Sequence, residues 1–239
     1  MSDSLKGTLP ALVIIIRHAE KPGETKTDVI SDEALTDPNL APAGYFRAGA
    51  YAAYFDPTRN GGLFPAIDHI FATKATQHSN RPVLTVTPLA ETLRKKIHDE
   101  FDNKPDGIAA LGKELLGGSY AGQTVLVCWH HGTMPAVAAA LGYPSAPHIP
   151  PMSFDVVWRL AYTKGSPAPT FTSAWQTLMY GDGDVANLPL QSRGLVIPDY
   201  SAALAGDPCV EDDYHLQVGL AGDPVTNDDN TTNYNTERK

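Results

Sequence analysis

Leu12-Val13-Ile14-Ile15-Ile16-Arg17-His18 is a run of five apolar, mostly β-branched residues that ends abruptly in a guanidinium and an imidazole. A short run with no polar alternation reads as a strand covered on both faces, the pattern of a central strand in an α/β sheet. A second run of the same kind follows a hundred residues later. Thr124 to Trp129 reads Thr-Val-Leu-Val-Cys-Trp and breaks at His130-His131-Gly132 into an Ala-rich helix over Pro135 to Leu141, stopped by Gly142. Open α/β sheets bind ligands outside the carboxyl ends of their strands. If the two strands are parallel neighbours, their histidines meet at one edge of the sheet. A single strand-end histidine is most often structural. Two such ends, one with an adjacent arginine and the other followed by glycine and a helix, weigh considerably against that structural reading.

The segments around these strands complete the pattern. Glu20 to Leu40, rich in charge, Thr, Asp and Pro, reads as a long loop. Pro42 to Phe55 reads as a helix, with Pro42 in its first turn and Asp56-Pro57 closing it. Asp68 to Ala72 is expected to be a strand and Thr73 to Pro82 a loop. Val83 to Thr87 is expected to be a short strand, followed by a helix over Leu89 to Phe101 and another over Ile108 to Leu116 that Gly117-Gly118 ends. Phe154 to Tyr162 and Thr170 to Thr177 read as further strands, forming an antiparallel edge. Strands alternating with helices predict a three-layer α/β/α sandwich with a mostly parallel central sheet. Residues 1–205 are expected to form one α/β domain, with its core motifs over 12–162.

Composition narrows the function. Of 239 residues, 42% are apolar, enough for a sizeable core, and 19% are charged, too few for a disordered chain. The net charge of −9 is uneven: Gly206 to Lys239 holds eight acids against Arg238 and Lys239. That stretch, 206–239, is expected to be an acidic, partly disordered tail. Net acidity argues against non-specific binding to nucleic acid or anionic lipid. Cys128 and Cys209 make no disulfide framework and no CxxC zinc pair; Cys128, inside an apolar run, reads as a buried reduced thiol. No stretch approaches the ~20 apolar residues of a membrane helix, and Met1 to Thr8 lacks a signal-peptide pattern. The expectation is a cytoplasmic protein with no nucleic-acid or membrane partner; oligomeric state is not legible.

The motifs point further. Arg17-His18-Ala19-Glu20-Lys21-Pro22, directly after the strand, resembles the Arg-His-Gly/Ala motif of the histidine phosphatase superfamily, which includes the phosphoglycerate mutases. Downstream features occur in the family's order. Leu40-Ala41-Pro42-Ala43-Gly44 with Arg47-Ala48 is similar to its Leu-Thr-x-x-Gly helix start. Phe71-Ala72-Thr73 and Ser79-Asn80-Arg81 resemble the strand and loop that deliver its second arginine. Trp129-His130-His131-Gly132 and Met134-Pro135 resemble its second-histidine turn, and Phe154-Asp155-Val156-Val157-Trp158 a strand that often follows. The resemblance covers about residues 12–162 and implies a phosphoglycerate mutase-like fold.

It also implies roles. His18 takes the place of the phosphorylated nucleophile, and Arg17 and Arg81 those of the phosphate-clamping arginines. His131, which abuts Gly132, takes the place of the second histidine, with His130 the competing choice. For the general acid the resemblance suggests Glu91, with Glu20, Asp28 and Asp32 as alternatives.

The chemistry is consistent with those roles. Phosphoryl transfer asks mainly for an in-line nucleophile and for donors to the equatorial oxygens. Guanidinium forks match that geometry as lysine cannot. An imidazole serves as the nucleophile if one ring nitrogen is unprotonated and the other is held by an acceptor. The scheme requires no metal and no cofactor. The expected activity is hydrolysis of a small-molecule phosphomonoester through a phosphohistidine. The alternatives are a non-catalytic phosphate-binding module on the same fold, or a phosphomutase. A mutase is disfavoured because Glu20-Lys21-Pro22-Gly23 lacks the Ser and Trp-Asn that follow the motif in family mutases. An α/β hydrolase is disfavoured because there is no G-x-S-x-G elbow. Lys21, His78, Ser79 and Asn80 have weaker claims on the pocket mouth. Tyr45, Phe46, Tyr51, Tyr54 and Phe55 are expected to pack their helix against the sheet.

Overall fold

Every residue of Leu12–Arg17 is buried, as the unbroken apolar run requires of a strand covered on both sides. The computed structural model describes residues 9–23, 37–179 and Asp182. The expected tail over 206–239, Asp28, Asp32 and Cys209 lie outside the described residues. In chain order the elements are β1 (Leu12–Arg17), α1 (Pro42–Tyr54), β2 (His69–Ala72), α2 (Arg81–Leu93), β3 (Ile97–His98), α3 (Pro105–Leu116), β4 (Thr124–Trp129), α4 (Met134–Ala140), β5 (Val156–Ala161) and β6 (Thr170–Trp175).

The strands form one sheet in the order β3-β2-β4-β1-β5-β6. β3, β2, β4 and β1 run parallel, while β5 lies antiparallel to β1 and β6 antiparallel to β5. Strand alternation then sorts the core into two layers. Val13, Ile15, Val125, Val127 and Trp129 face Leu111 and Leu115 of α3 and Val137 and Ala138 of α4. Leu12, Ile14, Ile16, Leu126 and Cys128 face Tyr51 of α1 and Val86, Leu89 and Ala90 of α2. The result is the expected three-layer sandwich, its sheet mixed at the β5–β6 side. The two helices α3 and α4 approach so closely that a Cβ on Gly112 would lie 2.8 Å from the carbonyl oxygen of Ala140.

The expectations for residues 83–101 fail. Val83 to Thr87 is not a strand, and no helix runs from Leu89 to Phe101: α2 occupies Arg81–Leu93 and the short strand β3 follows. The β-branched residues Val83, Thr85, Val86 and Thr87 and the two prolines suggested strand and break. Pro82 sits in the first turn, where a missing N–H costs nothing. Thr85, Thr87 and Thr92 donate their hydroxyls to carbonyls one turn back, at Arg81, Val83 and Pro88. Pro82, Thr85, Val86, Leu89 and Ala90 form a buried stripe at helical spacing. Tertiary burial of that stripe overrides local propensity. Among the α1 aromatics, Tyr51 and Phe55 pack as expected, but Tyr45 and Phe46 do not: they are 50% and 72% exposed on the outer face.

Candidate active site

β1 and β4 pair in parallel with Arg17 opposite Trp129, and the His18 amide donates to the Trp129 carbonyl at 3.0 Å. His18 and His130 therefore leave the sheet side by side. Their rings meet edge to face, centroids 5.4 Å apart. Both are buried, as is His131, which begins the turn into α4. It is His130, the competing choice, whose ring contact with His18 the geometry displays.

The local fold holds His18 in one tautomer. Its Nδ1 lies 2.7 Å from the carbonyl oxygen of Ala19. A carbonyl only accepts, so Nδ1 carries the proton and, in the neutral ring, Nε2 keeps the lone pair. Arg17 is pinned beside it. Its Nη1 donates to the carbonyls of Pro151 and Ser153, and its Cζ sits 3.7 Å above the centre of the Phe154 ring. The same ring lies 6.2 Å from that of His18. Phe154, noted in the sequence only as the start of a strand, thus packs against both residues.

Arg81 is the first residue of α2, and its Nη1 donates to the Asp37 carbonyl at 3.0 Å. Thr85 ties this helix to the loop that follows His18. Its hydroxyl oxygen accepts from the Ala19 amide at 2.9 Å and donates to the Arg81 carbonyl at 2.7 Å. One buried hydroxyl therefore sets the spacing between the backbone next to His18 and the turn that bears Arg81. Nothing in the sequence isolates this threonine from its neighbours. We expect Thr85→Val to leave the Ala19 N–H buried and unsatisfied and to cost about 1–3 kcal/mol in denaturant unfolding. An unchanged midpoint with unchanged cooperativity would show that the bond contributes nothing. Thr85 also touches Cys128, whose thiol burial pushes well above its ordinary range, with Thr85's hydrogen bond opposing in part. Cys128 is therefore an inert core thiol.

Glu91 is not brought to the site. It is exposed in the last turn of α2, and ten residues at ~1.5 Å of rise put it roughly 15 Å along the helix from Arg81. Glu20 is near but engaged. Its carboxylate accepts from Arg47 of α1, at 2.6 Å from Nη2 and 3.0 Å from Nε. Arg47 also contacts Asp182, at 2.5 Å and 2.9 Å, and Gln176. Burial alone would lower the Arg47 pKa; the hydrogen bonds from Asp182 and Glu20 overcome it and raise it above its ordinary value. Gly44 makes this possible, since a Cβ there would stand 2.4 Å from the Glu20 carbonyl oxygen. Ser79 is buried, His78 is exposed, and Asn80 stands at the start of α2 without a side-chain cap. Among the described residues no group of three or more His, Cys, Asp or Glu could hold a metal ion, and no helix is long and apolar enough to cross a membrane.

Comparison with known proteins gives a distant structural likeness. The chain is similar to SixA. Against the structure of the protein histidine phosphatase SixA complexed with tungstate, identity is 18% over 69% of this chain and 97% of that one, with a TM-score of 0.46. Against SixA from Agrobacterium tumefaciens the values are 17%, 69% and 96%, with a TM-score of 0.41. No family model and no curated protein matches the sequence.

Proposed function

We propose that the chain is a phosphomonoester hydrolase of the histidine phosphatase superfamily that works through a phosphohistidine on His18. The observation that carries the reading is the His18 ring itself. Nδ1 is bound to the Ala19 carbonyl and Nε2 is left as the nucleophilic atom, beside Arg17 and a second imidazole.

The steps follow from these groups. Nε2 of His18 attacks phosphorus in line, the ester oxygen departs, and the ring carries the phosphoryl group until water displaces it. The guanidinium groups of Arg17 and Arg81 serve the phosphoryl oxygens. The second imidazole, from His130 or His131, donates a further hydrogen bond to an equatorial oxygen. Geometry favours His130, whose ring already faces His18. Glu91 is dropped as the general acid because of its distance; Asp28 and Asp32 keep that role open. The protein is expected to act in the cytoplasm on a small-molecule phosphoester, without nucleic acid or membrane.

An aryl phosphate tests this directly, because a phenolate leaves without strong acid assistance. We expect steady release of the phenol, undiminished by a chelator, and an acid-labile phosphoryl group on the protein after rapid quench. Turnover that vanishes with the chelator would point to metal-assisted hydrolysis and overturn the reading. Phosphate-dependent thermal stabilisation without any turnover would favour a binding module instead.

A further inference from the structure

Arg47 is 1% exposed, and its contacts join parts of the chain far apart in sequence. On one side it holds Glu20, two residues past His18, through Nε and Nη2. The Glu20 backbone is fixed from α1 as well, its carbonyl accepting from the Ala41 amide at 2.9 Å. On the other side Arg47 grips both carboxylate oxygens of Asp182. Asp182 in turn accepts the amides of Leu178 and Met179, at 2.8 Å and 2.9 Å. The third partner, Gln176, takes Arg47 Nη1 and the Tyr51 hydroxyl on one oxygen. Its backbone N–H donates to the Asp155 carbonyl at 2.8 Å, next to Phe154. Both routes from Arg47 therefore end at His18: one through Glu20 along the loop, the other through Gln176, Asp155 and the Phe154 ring.

The connection is not incidental to the chain's path. Thr177, immediately after Gln176, has φ of +52°, an uncommon conformation for a β-branched residue. A turn held in that conformation needs surrounding contacts to hold it, and Gln176 and Asp182 supply them on either side.

We infer that Arg47 is a positioning residue for His18, and that Asp182 completes the positioning set by orienting the guanidinium from beyond β6. Lysine could not replace it, since a point charge cannot hold two carboxylates and an amide oxygen at fixed angles. The inference rests on the phosphohistidine reading only for its catalytic readout. Misplacing the attacking ring slows the chemical step and leaves phosphate recognition at the arginines in place.

The test is a kinetic double-mutant cycle with a hydrogen-exchange arm. Asp182→Ala is expected to lower kcat for an aryl phosphate about 10–100-fold with KM within about twofold. Asp182→Asn, which keeps the volume and one acceptor, should fall between it and the wild type and guards against a misfolded Ala variant. Glu20→Gln combined with Asp182→Ala should be no slower than the slower single variant, because both act through one guanidinium. Exchange at the Ala41 amide should quicken in Asp182→Ala, since its acceptor is the Glu20 carbonyl. Multiplying effects in the double variant, or wild-type kcat and wild-type Ala41 protection in Asp182→Ala, would overturn the inference. If the wild type hydrolyses no phosphoester, the functional reading fails separately. Faster Ala41 exchange would then still support the coupling, and unchanged exchange would end it.

Discussion

On the proposed phosphohistidine route, His18→Ala is expected to abolish aryl phosphate hydrolysis, with kcat falling about 10⁴–10⁶-fold, the range expected when a covalent nucleophile is deleted and only binding and electrostatic stabilisation remain. The fold is expected to survive. His18 follows β1 rather than belonging to it, and its ring packs on His130 and Phe154, neither of which belongs to the two apolar clusters that hold the sheet between its helices. A thermal transition near that of the wild type would therefore separate chemistry from stability. The labelled phosphoryl group trapped by rapid quench should be absent from the variant. Residual turnover within about tenfold of wild type would sink the assignment, since no route through phosphohistidine survives loss of the ring.

Parallel variants grade the neighbours. Arg17→Lys keeps the charge but loses the fork and is expected to cost about 10²–10³ in kcat. His130→Ala and His131→Ala decide which imidazole assists. The edge-to-face packing of His130 on His18 predicts that His130→Ala has the larger effect.

The sheet was legible because its central strands carry almost no polar interruption. β1 and β4 could be read as buried strands, and their shared carboxyl end followed once they proved to be neighbours. Local chemistry misled where it had to compete with burial. In α2 two prolines and five β-branched residues outweighed a helical stripe that only the packed structure makes decisive. Glu91 came from the family resemblance, which suggests a carboxylate after the second arginine; in the one continuous helix it lies at the far end from Arg81. The second histidine depended on a single residue of register. The family resemblance favours the histidine next to Gly132, and the ring of the preceding residue, His130, packs on His18, so the two single variants decide the role. Arg47 with Asp182 was beyond reach for a different reason. The partners are 135 positions apart, and no periodicity or spacing links a helix-buried arginine to a lone aspartate.

That buried set sets up the second large effect. Arg47→Met is expected to destabilise the protein by about 3–5 kcal/mol, because it leaves the Glu20 and Asp182 carboxylates buried without their cation. Their side chains are only 10% and 6% exposed, so water offers little relief. At this chain length such a loss lowers the unfolding midpoint by roughly 10 °C. Most of the cost is the stranded charge, not the missing contact, and this gives the experiment its sign. Adding Asp182→Asn to Arg47→Met removes one of the two stranded charges, so the double variant should be more stable than Arg47→Met alone, although it carries one more substitution. Denaturant unfolding of the three proteins decides between the accounts. If the second substitution destabilises further, the ion set contributes through packing and hydrogen-bond geometry. If stability recovers, its cost is electrostatic, and the guanidinium is what offsets the two carboxylate charges in the core.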